Sequence, residues 1–354
     1  MHTFIPNWQN VKPLGRTRAL EDSLWLAFSG SGAEFSFIGR RCEVAIAGDN
    51  HAADAEKAND HVRIAVYLDG KRVVDDMIDA SEKVYNIMDE DMAQEHVVRI
   101  VKLSETAMST CGIKAIYVDA NTIRPTPRKA YFIEFIGDSI TCGYGVDDEA
   151  AEHHFATCTE DVTRTFACKT AQALDADYSV VAISGYGIIS GYTATAEERV
   201  TAQLLPAYYD RLGFSYGKYR GESPNNVRWD FSVRQPDMII LNLGTNDDSY
   251  SRDDVERQEF YCAEYVNFLK VIRACNPAAK ILCTLGIMGD RLYPFVEKAA
   301  AAYAAETGDV NIVCMPFAPQ LPEDGYAADY HPTETTHRKA ADKLTCEICR
   351  LMGW

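Results

Sequence analysis

Short apolar or alternating segments, separated by turn residues, fill the first third of the chain. Asp69-Gly70 stands between two of them and is typical of a β-hairpin. No long stretch of helical periodicity interrupts the series, so residues 1–125 are predicted to form a β-sandwich resembling a jelly roll. The predicted strands span residues 24–28, 34–38, 42–47, 62–68, 73–78, 97–103 and 113–118.

The pattern changes after the proline-rich segment 124–128, which is the predicted hinge. Continuously apolar runs now alternate with helical ones, which predicts a five-stranded parallel sheet covered by helices on both faces. Residues 130–354 are therefore expected to form a three-layer α/β/α domain. The predicted strands span 131–136, 179–183, 238–243, 280–285 and 311–316, and the predicted helices span 163–174, 197–209, 253–274, 293–306 and 332–351.

Ligands of such sheets bind beyond the carboxyl ends of the strands, so the segments after the strands are the candidates for chemistry. Ser139 follows the first strand in a Gly-Asp-Ser segment. A tight turn there exposes the hydroxyl and can aim backbone N–H groups at the same point, as a nucleophile with an oxyanion donor requires. The alternative is an ordinary turn in which the serine caps a helix.

The next two strands also end in segments that can carry chemistry. Gly185 follows the second strand, where glycine lets the backbone approach a ligand and present its N–H. Asn246 follows the third strand in a Gly-Thr-Asn-Asp segment. Its amide can donate to a developing oxyanion, and Asp247 can fix the loop. A plain Asn/Asp turn is the alternative.

His331 stands directly before the last predicted helix. Pro332 suits the first helical position, which places His331 at the cap and on the rim of the sheet. A neutral imidazole at that point can act as general base for a serine. His337, one turn into the helix, is expected to be structural.

Three other motifs are set aside. Gly185-x-Gly187 half-matches a dinucleotide-binding loop but lacks the third glycine and the later acidic residue. Ser215 lies in a G-x-S-x-G segment without the strand and helix that a nucleophile elbow needs. His153 and His154 lie in a polar loop and are expected to be solvated rather than metal ligands. Neither a metal nor a cofactor is predicted.

Charge and cysteine usage narrow the partners and the compartment. Thirty-five Lys and Arg against 52 Asp and Glu give a net charge of −17, so neither nucleic acid nor an anionic membrane is expected as a partner. Eleven cysteines, many inside apolar runs, are typical of free thiols in a reducing compartment. No signal-peptide pattern is visible, so a cytoplasmic location is expected, or secretion if a leader has been removed. The oligomeric state is left open, and a homo-oligomer is one of the alternatives.

The Gly-Asp-Ser, Ser-Gly, Gly-x-Asn-Asp and His-Pro segments, in that chain order, resemble the SGNH hydrolase family. The resemblance covers about residues 130–354. It implies Ser139 as the nucleophile and His331 as the base. It also implies an oxyanion hole made by the N–H of Ser139, the N–H of Gly185 and the side chain of Asn246, with Gly187 as the less favoured alternative to Gly185.

The whole architecture is similar to carbohydrate esterase family 2. The resemblance rests on the β-rich first domain, on Gly-Asp-Ser-Ile-Thr-Cys-Gly-Tyr-Gly, on Trp-Asp-Phe-Ser before the third strand, and on Asp-Tyr-His-Pro. It implies a serine esterase that removes O-acetyl groups from plant glycans such as xylan or mannan through an acetyl-serine intermediate. Aromatic residues near the rim are candidate sugar platforms, or ordinary packing: Tyr144, Tyr186, Trp229 and Tyr330.

The triad acid departs from the broader SGNH pattern, which has an acid three residues before the histidine. That position is Ala328 here, and Asp329 lies two before His331. Three alternatives stay open: Asp329 orients His331 through a different loop geometry, a backbone carbonyl does so, or an acid from elsewhere does so.

Rival functions also stay open. Within enzymes, the runner-up is another SGNH lipase, thioesterase or sialate esterase. Outside enzymes, the rivals are a carbohydrate-binding protein that has lost hydrolysis and a scaffold protein that uses the β domain as its interface.

Overall fold

The computed structural model describes all 354 residues, which divide into two compact units. The first unit consists of Met1–Lys129, Phe155–Val162 and Arg211–Trp229. The second consists of Ala130–His154, Thr163–Asp210 and Asp230–Trp354. Two short segments from beyond the predicted hinge thus pack with the β-rich part of the chain.

The first unit is an antiparallel β structure, which confirms the predicted class of this part. Its strands are β1 (His2–Phe4), β2 (Lys12–Leu14), β3 (Thr17–Ala19), β4 (Leu24–Leu26), β5 (Gly32–Gly48), β6 (Val62–Leu68), β7 (Lys71–Ile78), β8 (Glu82–Lys102), β9 (Cys111–Val118) and β10 (Arg124–Pro125). They pair in the order β3-β4-β9-β5-β8-β6-β7, with β1 on β9 and with β2 and β10 on β5.

Two long strands run through the middle of this unit. The predicted strands 34–38 and 42–47 are parts of the single strand β5, whose pairing with β8 shifts register between Gly39 and Arg41. Alternate side chains of β5 point into an apolar core, as Phe35, Val44 and Ile46 show by their complete burial. Residues 82–96 of β8 were not predicted as a strand.

The second unit contains the predicted five-stranded parallel sheet. The strands are β11 (Tyr131–Gly137), β12 (Ala176–Ala182), β13 (Met238–Asn242), β14 (Lys280–Ile287) and β15 (Ile312–Pro319). Their order in the sheet is β12-β11-β13-β14-β15. The helices are α1 (Ser139–Cys142), α2 (Phe166–Ala173), α3 (Thr245–Ser251), α4 (Val255–Cys275), α5 (Tyr293–Thr307) and α6 (Glu334–Met352).

The connections place helices on both faces of this sheet. Crossovers between parallel strands are right-handed, and the chain leaves β11 toward β12 in one direction but leaves β13 toward β14 in the other. The connecting helices therefore lie on opposite faces, and α2 packs against α6 while α4 packs against α5. No helix combines the length and the apolar character that crossing a bilayer would need.

The helix predicted over 197–209 is wrong. The segment follows an irregular path with one 3-10 turn, Leu205–Tyr208, in which Pro206 lies near the start. Long-range hydrogen bonds replace helical ones: the N–H of Leu205 donates to the Gly187 carbonyl at 2.9 Å, and the N–H of Val200 donates to Ser190 Oγ at 3.0 Å. The segment serves to brace the loop that follows β12.

The strand order brings three strand ends together. β11 lies between β12 and β13, and the register pairs Gly137 with Ala182 and Ile136 with Leu241. The chain thus reverses direction across the sheet at β11, which is where ligands bind in sheets of this kind. The segments after β11, β12 and β13 start side by side at one edge.

Candidate active site

The nucleophile candidate is placed by a short helix. β11 ends at Gly137, Asp138 is the N-cap of α1, and Ser139 is the first residue of that helix. The Asp138 carboxylate accepts the N–H of Ile140 at 3.1 Å, so aspartate rather than serine caps the helix. The hydroxyl of Ser139 is left for other partners, and the residue is 7% exposed.

The hydroxyl and the imidazole that sequence analysis paired lie within hydrogen-bond distance. His331 Nε2 is 2.9 Å from Ser139 Oγ. On the other side of the ring, Nδ1 is 3.1 Å from the carbonyl oxygen of Ala328. A carbonyl only accepts, so Nδ1 carries the proton and Nε2 is the free base that faces the serine. Of the three alternatives for orienting His331, the structure has the backbone carbonyl.

The predicted start of the last helix is wrong by two residues. Thr333 is the N-cap, its Oγ1 accepting the N–H of Thr336, and α6 begins at Glu334. His331 and Pro332 therefore precede the helix in extended backbone. The shift frees His331 from a capping role and lets its ring turn toward Ser139.

Burial sets the protonation of the base. Removal from water disfavours the charged imidazolium and lowers the pKa of His331 from 6.5 to about 4, against the smaller opposing effects of the Ala328 carbonyl and of Asp329. The imidazole is therefore neutral at neutral pH. A neutral base beside a serine hydroxyl is what nucleophilic acyl transfer requires.

The carboxylate of Asp329 has different partners from those expected of a triad acid. Its Oδ2 accepts the phenol O–H of Tyr144 at 2.6 Å, and its Oδ1 lies 2.9 Å from Nδ1 of His154. The backbone of Asp329 is left-handed, with φ 49°, which turns the side chain toward these groups. The assignment of Asp329 as the residue that orients His331 is thus corrected to Ala328.

The predicted oxyanion donors follow three neighbouring strands. The N–H of Ser139 and the N–H of Gly185 make no hydrogen bond within the protein. Gly185 has φ 79°, a left-handed conformation that favours glycine. The Asn246 amide donates one hydrogen to the Tyr186 carbonyl at 2.9 Å, and its second hydrogen remains for a ligand. Gly187 is not an equivalent donor, because its N–H is bonded to the Gln203 carbonyl at 3.1 Å.

Asp247 holds the loop that carries Gly185. Its buried carboxylate accepts the N–H groups of Ile188, Ile189 and Ser190 at 2.8, 2.6 and 3.1 Å. Burial nevertheless raises the pKa of Asp247 to about 6, and burial together with the nearby charge of Asp247 raises the pKa of Asp138 to about 7. The first turn of α3 thus grips this loop through both Asn246 and Asp247.

The four aromatic candidates for sugar contact differ in their surroundings. Tyr330 is 54% exposed beside His331, as a platform requires. Tyr186 is 2% exposed and packs against Tyr208, so its assignment to substrate binding is corrected to packing. The Tyr144 ring is stacked on the His331 imidazole. Trp229 belongs to the first unit, where Cζ of the Arg16 guanidinium lies 5.5 Å from the centroid of its ring. The predicted contact of Trp229 with a sugar stays a prediction.

The residues set aside by sequence analysis have ordinary structural partners. Ser215 is buried in the first unit, where its Oγ accepts the N–H of Gly217 at 3.1 Å. His337 is fully buried and its Nδ1 accepts the N–H of Phe166 at 3.2 Å. His153 lies 3.0 Å from Asp148 at the surface. His154 is exposed, as expected of a solvated residue, and its Nδ1 also lies 2.9 Å from Oδ1 of Asp329.

Sequence analysis left one functional group unassigned and missed one contact. A backbone carbonyl was among the three alternatives for orienting His331, but a peptide carbonyl has no side-chain signature, so nothing in the sequence assigned it to Ala328. Tyr144 was noticed only as an aromatic residue on the rim. Its spacing from Ser139 did not reveal that its ring covers the base.

The fold and the site together define a serine hydrolase with a three-layer α/β/α domain, in which a Ser–His dyad lies at the topological switch point of the sheet. The chain belongs to the GDSL-like Lipase/Acylhydrolase family, whose profile matches residues 135–339. The profile described as "Carbohydrate esterase 2 N-terminal" matches residues 14–127. The two profiles match different parts of the chain, one the first third and the other most of the remainder.

Two curated relatives align over nearly the whole chain. The cellulase/esterase CelE of Acetivibrio thermocellus is 28% identical over 339 residues, covering 93% of this chain and 38% of CelE. An acetylxylan esterase/glucomannan deacetylase of Cellvibrio japonicus is 27% identical over 360 residues, covering 100% of this chain and 92% of that protein. The chain therefore spans well under half the length of the first relative and nearly all of the second.

Solved structures share the same architecture. A family two carbohydrate esterase from Clostridium thermocellum in complex with cellohexaose has a TM-score of 0.83 at 26% identity, covering 97% of this chain and 99% of that one. An acetyl xylan esterase, Est2A, from the rumen bacterium Butyrivibrio proteoclasticus has a TM-score of 0.87 at 21% identity and covers 100% of both chains. The second likeness shows that the fold is shared from end to end.

Proposed function

We propose that this chain is a carbohydrate O-acetylesterase that removes acetyl groups from plant-type glycans through an acetyl-serine intermediate. The observation that carries the proposal is the 2.9 Å approach of His331 Nε2 to Ser139 Oγ at the carboxyl edge of the sheet. A hydroxyl bonded to a neutral imidazole, beside unbonded N–H donors, is equipped for acyl transfer.

The first step forms the acetyl-enzyme. Ser139 Oγ attacks the acetyl carbonyl carbon while His331 Nε2 takes the hydroxyl proton. The carbonyl oxygen becomes an oxyanion, which in this proposal accepts hydrogen bonds from the N–H of Ser139, the N–H of Gly185 and the Asn246 amide. Collapse breaks the bond to the sugar oxygen, which leaves with the proton from Nε2.

The second step releases acetate. Water enters where the sugar left, gives a proton to Nε2 and attacks the acetyl carbon. The new oxyanion collapses, Oγ of Ser139 leaves and recovers the proton, and acetic acid is released. Throughout, the Nδ1–H of His331 stays bonded to the Ala328 carbonyl, which keeps Nε2 on the correct side of the ring.

The glycan substrate class is supported by the relatives and by the rim of the site. The Cellvibrio japonicus relative is named for acetylxylan and glucomannan, and the Clostridium thermocellum structure contains cellohexaose. Tyr330, adjacent to the base and more than half exposed, offers a ring on which a sugar face can pack. Its neighbour Tyr326 lies 5.8 Å away between ring centroids and widens that surface.

Acetate release from acetylated xylan and acetylated glucomannan tests the proposal. The wild type and Ser215→Ala are expected to release acetate, because Ser215 is a buried serine of the first unit with a structural hydrogen bond. Ser139→Ala is expected to lose all but a small fraction of the activity, and its thermal unfolding temperature should stay unchanged. Full activity in Ser139→Ala would refute the assigned nucleophile.

The same assay separates the rival functions. A series of p-nitrophenyl esters from acetyl to longer acyl groups should show activity that falls beyond acetyl. Activity that rises with chain length would favour a lipase or thioesterase. Binding of glycans without hydrolysis of any ester would favour a carbohydrate-binding protein.

The placement of the cysteines also supports a proposal about the compartment. Cys42, Cys111, Cys142, Cys168, Cys262 and Cys283 are buried, and all eleven cysteines have free thiols. Thiols of this kind persist in reducing surroundings, which supports a cytoplasmic location and a soluble acetylated oligosaccharide as substrate. Fractionation of the source cells tests this separately from activity.

A further inference from the structure

Two turns of the second unit meet at the dyad. The turn after β11 carries Ser139 and continues to Tyr144, whose N–H donates to the Ser139 carbonyl at 3.2 Å. The turn before α6 carries Ala328 and His331. A Cβ placed on Gly145 would lie 2.6 Å from the Cβ of Ala328, so the two turns are in close contact. Whatever holds one turn against the other also sets the distance between nucleophile and base.

The turn before His331 has an unusual backbone. Asp329 and Tyr330 have φ of 49° and 60°, two consecutive non-glycine residues in the left-handed region. Such conformations persist only where neighbouring contacts hold them. Here the N–H of Asp329 donates to the His153 carbonyl at 2.9 Å, and the N–H of Tyr330 donates to the Ala151 carbonyl at 3.3 Å. The segment that follows Tyr144 therefore holds this turn in place.

A side-chain link joins the two turns more directly. The phenol of Tyr144 donates to Asp329 Oδ2 at 2.6 Å, and His154 Nδ1 lies 2.9 Å from Oδ1 of the same carboxylate. Hydrogen bonds to an ionised acceptor are stronger than neutral ones. The carboxylate next to the base is therefore tied to the turn that carries the nucleophile.

The Tyr144 ring also covers one face of the base. Its centroid lies 3.9 Å from that of the His331 imidazole, and the planes differ by 20°. A parallel ring at this distance fixes the plane in which Nε2 faces Ser139 and Nδ1 faces the Ala328 carbonyl. During the reaction the imidazole becomes positively charged, and the face of an aromatic ring attracts a cation. The hydrogen bond from the phenol to a carboxylate makes that ring more electron-rich.

Resting on the proposed function, we propose that Tyr144 is a positioning residue of the Ser139–His331 dyad, held by Asp329, rather than a platform for the sugar. Asp329 then positions His331 indirectly, through its hydrogen bond with Tyr144 and through the backbone of its own turn. This arrangement accounts for an acid beside the histidine whose carboxylate is directed to a tyrosine.

Three variants test the proposal. Tyr144→Phe keeps the ring and deletes its bond to Asp329, whereas Tyr144→Leu removes both the bond and the ring. Tyr85→Phe is the matched control, because it deletes a half-buried tyrosine–aspartate bond of 2.9 Å, to Asp76, in the first unit. For each variant, kcat and KM are measured with p-nitrophenyl acetate, which has no sugar, and with acetylated xylan. Thermal unfolding is recorded alongside.

A positioning role predicts the same loss on both substrates. We expect kcat to fall roughly 10-fold in Tyr144→Phe and on the order of 10²-fold in Tyr144→Leu, since a misplacement of about 1 Å costs as much as the latter. KM for p-nitrophenyl acetate should stay nearly constant, and Tyr85→Phe should match the wild type. A sugar platform predicts normal kcat with p-nitrophenyl acetate and a raised KM only with xylan, and that result would overturn the proposal.

The pH profile provides a readout that a general loss of stability would not move. The titratable groups that face the imidazole or influence it are the Asp329 carboxyl, the Tyr144 phenol and the His337 imidazole. Tyr144→Leu opens the imidazole to water, so the acid limb of kcat/KM should move to higher pH, whereas Tyr144→Phe keeps the covering ring and should leave the limb in place. A Leu variant that loses kcat with an unmoved limb would contradict a direct action on the base.

The outcomes distinguish this inference from the function on which it rests. A wild type that hydrolyses both esters, together with unimpaired Tyr144 variants, would refute the inference alone. A wild type that hydrolyses neither ester would refute the proposed function and the inference with it.

Discussion

His331 takes its orientation from Ala328, whose carbonyl oxygen lies 3.1 Å from Nδ1 on the side of the ring opposite Ser139. A peptide carbonyl has a partial negative charge and no proton to gain in the physiological range. It therefore selects the tautomer without adding the full negative charge of a triad carboxylate. The desolvation of the imidazole is then the dominant influence on its pKa.

Asp329→Asn should have a modest effect. The asparagine keeps an oxygen that accepts the Tyr144 phenol, so the turn should stay in place, and we expect kcat to fall less than about 10-fold. In the Ser-His-Asp proteases, the same change in the triad acid lowers kcat about 10⁴-fold. Steady-state kinetics with p-nitrophenyl acetate distinguishes the two cases. A loss near 10⁴-fold would mean that the carboxylate acts directly on the imidazole.

The enzyme should stay active in mild acid. Because burial lowers the pKa of His331 from 6.5 to about 4, the imidazole remains an uncharged base as the pH falls below 6.5. We expect kcat/KM to fall only in part near pH 6, where Asp247 gains a proton and holds the Gly185 loop less firmly, and to fall steeply toward pH 4 as His331 becomes charged. Initial rates measured with p-nitrophenyl acetate across this range, with circular dichroism to confirm folding, provide the check. Loss of nearly all activity around pH 6.5, in a protein that is still folded, would contradict the burial argument for His331.

Asn246→Ala should lower kcat and leave KM nearly unchanged. The variant removes one oxyanion donor, which in serine hydrolases costs about 10²–10³ in kcat, or about 2.7–4 kcal/mol of transition-state stabilisation. It also removes the bond to the Tyr186 carbonyl. Asn267→Ala, on the exposed side of α4, is the control and should behave as the wild type. Intact turnover in Asn246→Ala would show that this amide does not face the reacting carbonyl.

Asp247→Asn should weaken both stability and turnover. Oδ1 of the carboxylate accepts three backbone N–H groups, and Oδ2 also accepts that of Ile188, where an asparagine amide would instead point its own hydrogens at the Ile188 N–H. We expect the free energy of unfolding to fall by about 1–3 kcal/mol and kcat to fall with it as the Gly185 loop loosens. Urea unfolding and kinetics measure the two effects. Asp253→Asn, at an exposed surface ion pair with Arg291, is the control.

The parallel sheet could be predicted because both of its faces are covered. The side chains of β13, from Met238 to Asn242, are buried without interruption, and such a strand reads as one continuous apolar run. Residues 89–95 in the middle of β8 are exposed and mostly polar, so their own sequence does not indicate a strand. Asp89, Gln94 and Glu95 nevertheless pair with β5, which holds the two ends of this segment extended.

The failed helix over 197–209 has a similar cause. Its local pattern suits a helix, but its backbone groups are used by Gly187 and Ser190 of the loop after β12. Contacts between distant parts of the chain outweigh local propensity there, and Pro206 removes a helical N–H donor.

The sequence identified those parts of the site whose function resides in a side chain. Ser139 and His331 have residue types that name their chemistry, and the structure brings them within bonding distance. The Ala328 carbonyl looks the same in any sequence. The ring of Tyr144 stacks on His331, which follows two left-handed residues, Asp329 and Tyr330, and no local sequence pattern predicts that backbone conformation.

The interleaving of the two compact units has a consequence for truncation. Each unit draws on three separate stretches of the polypeptide, so the chain passes back and forth between them. Division of the chain between Lys129 and Ala130 would remove Phe155–Val162 and Arg211–Trp229 from the β-rich piece. Those two segments would remain in the other piece without the residues against which they pack. We therefore expect neither half to survive as an independent module. Recombination that exchanges whole halves between such proteins should succeed only where the two inserted segments and the β-rich part come from the same protein.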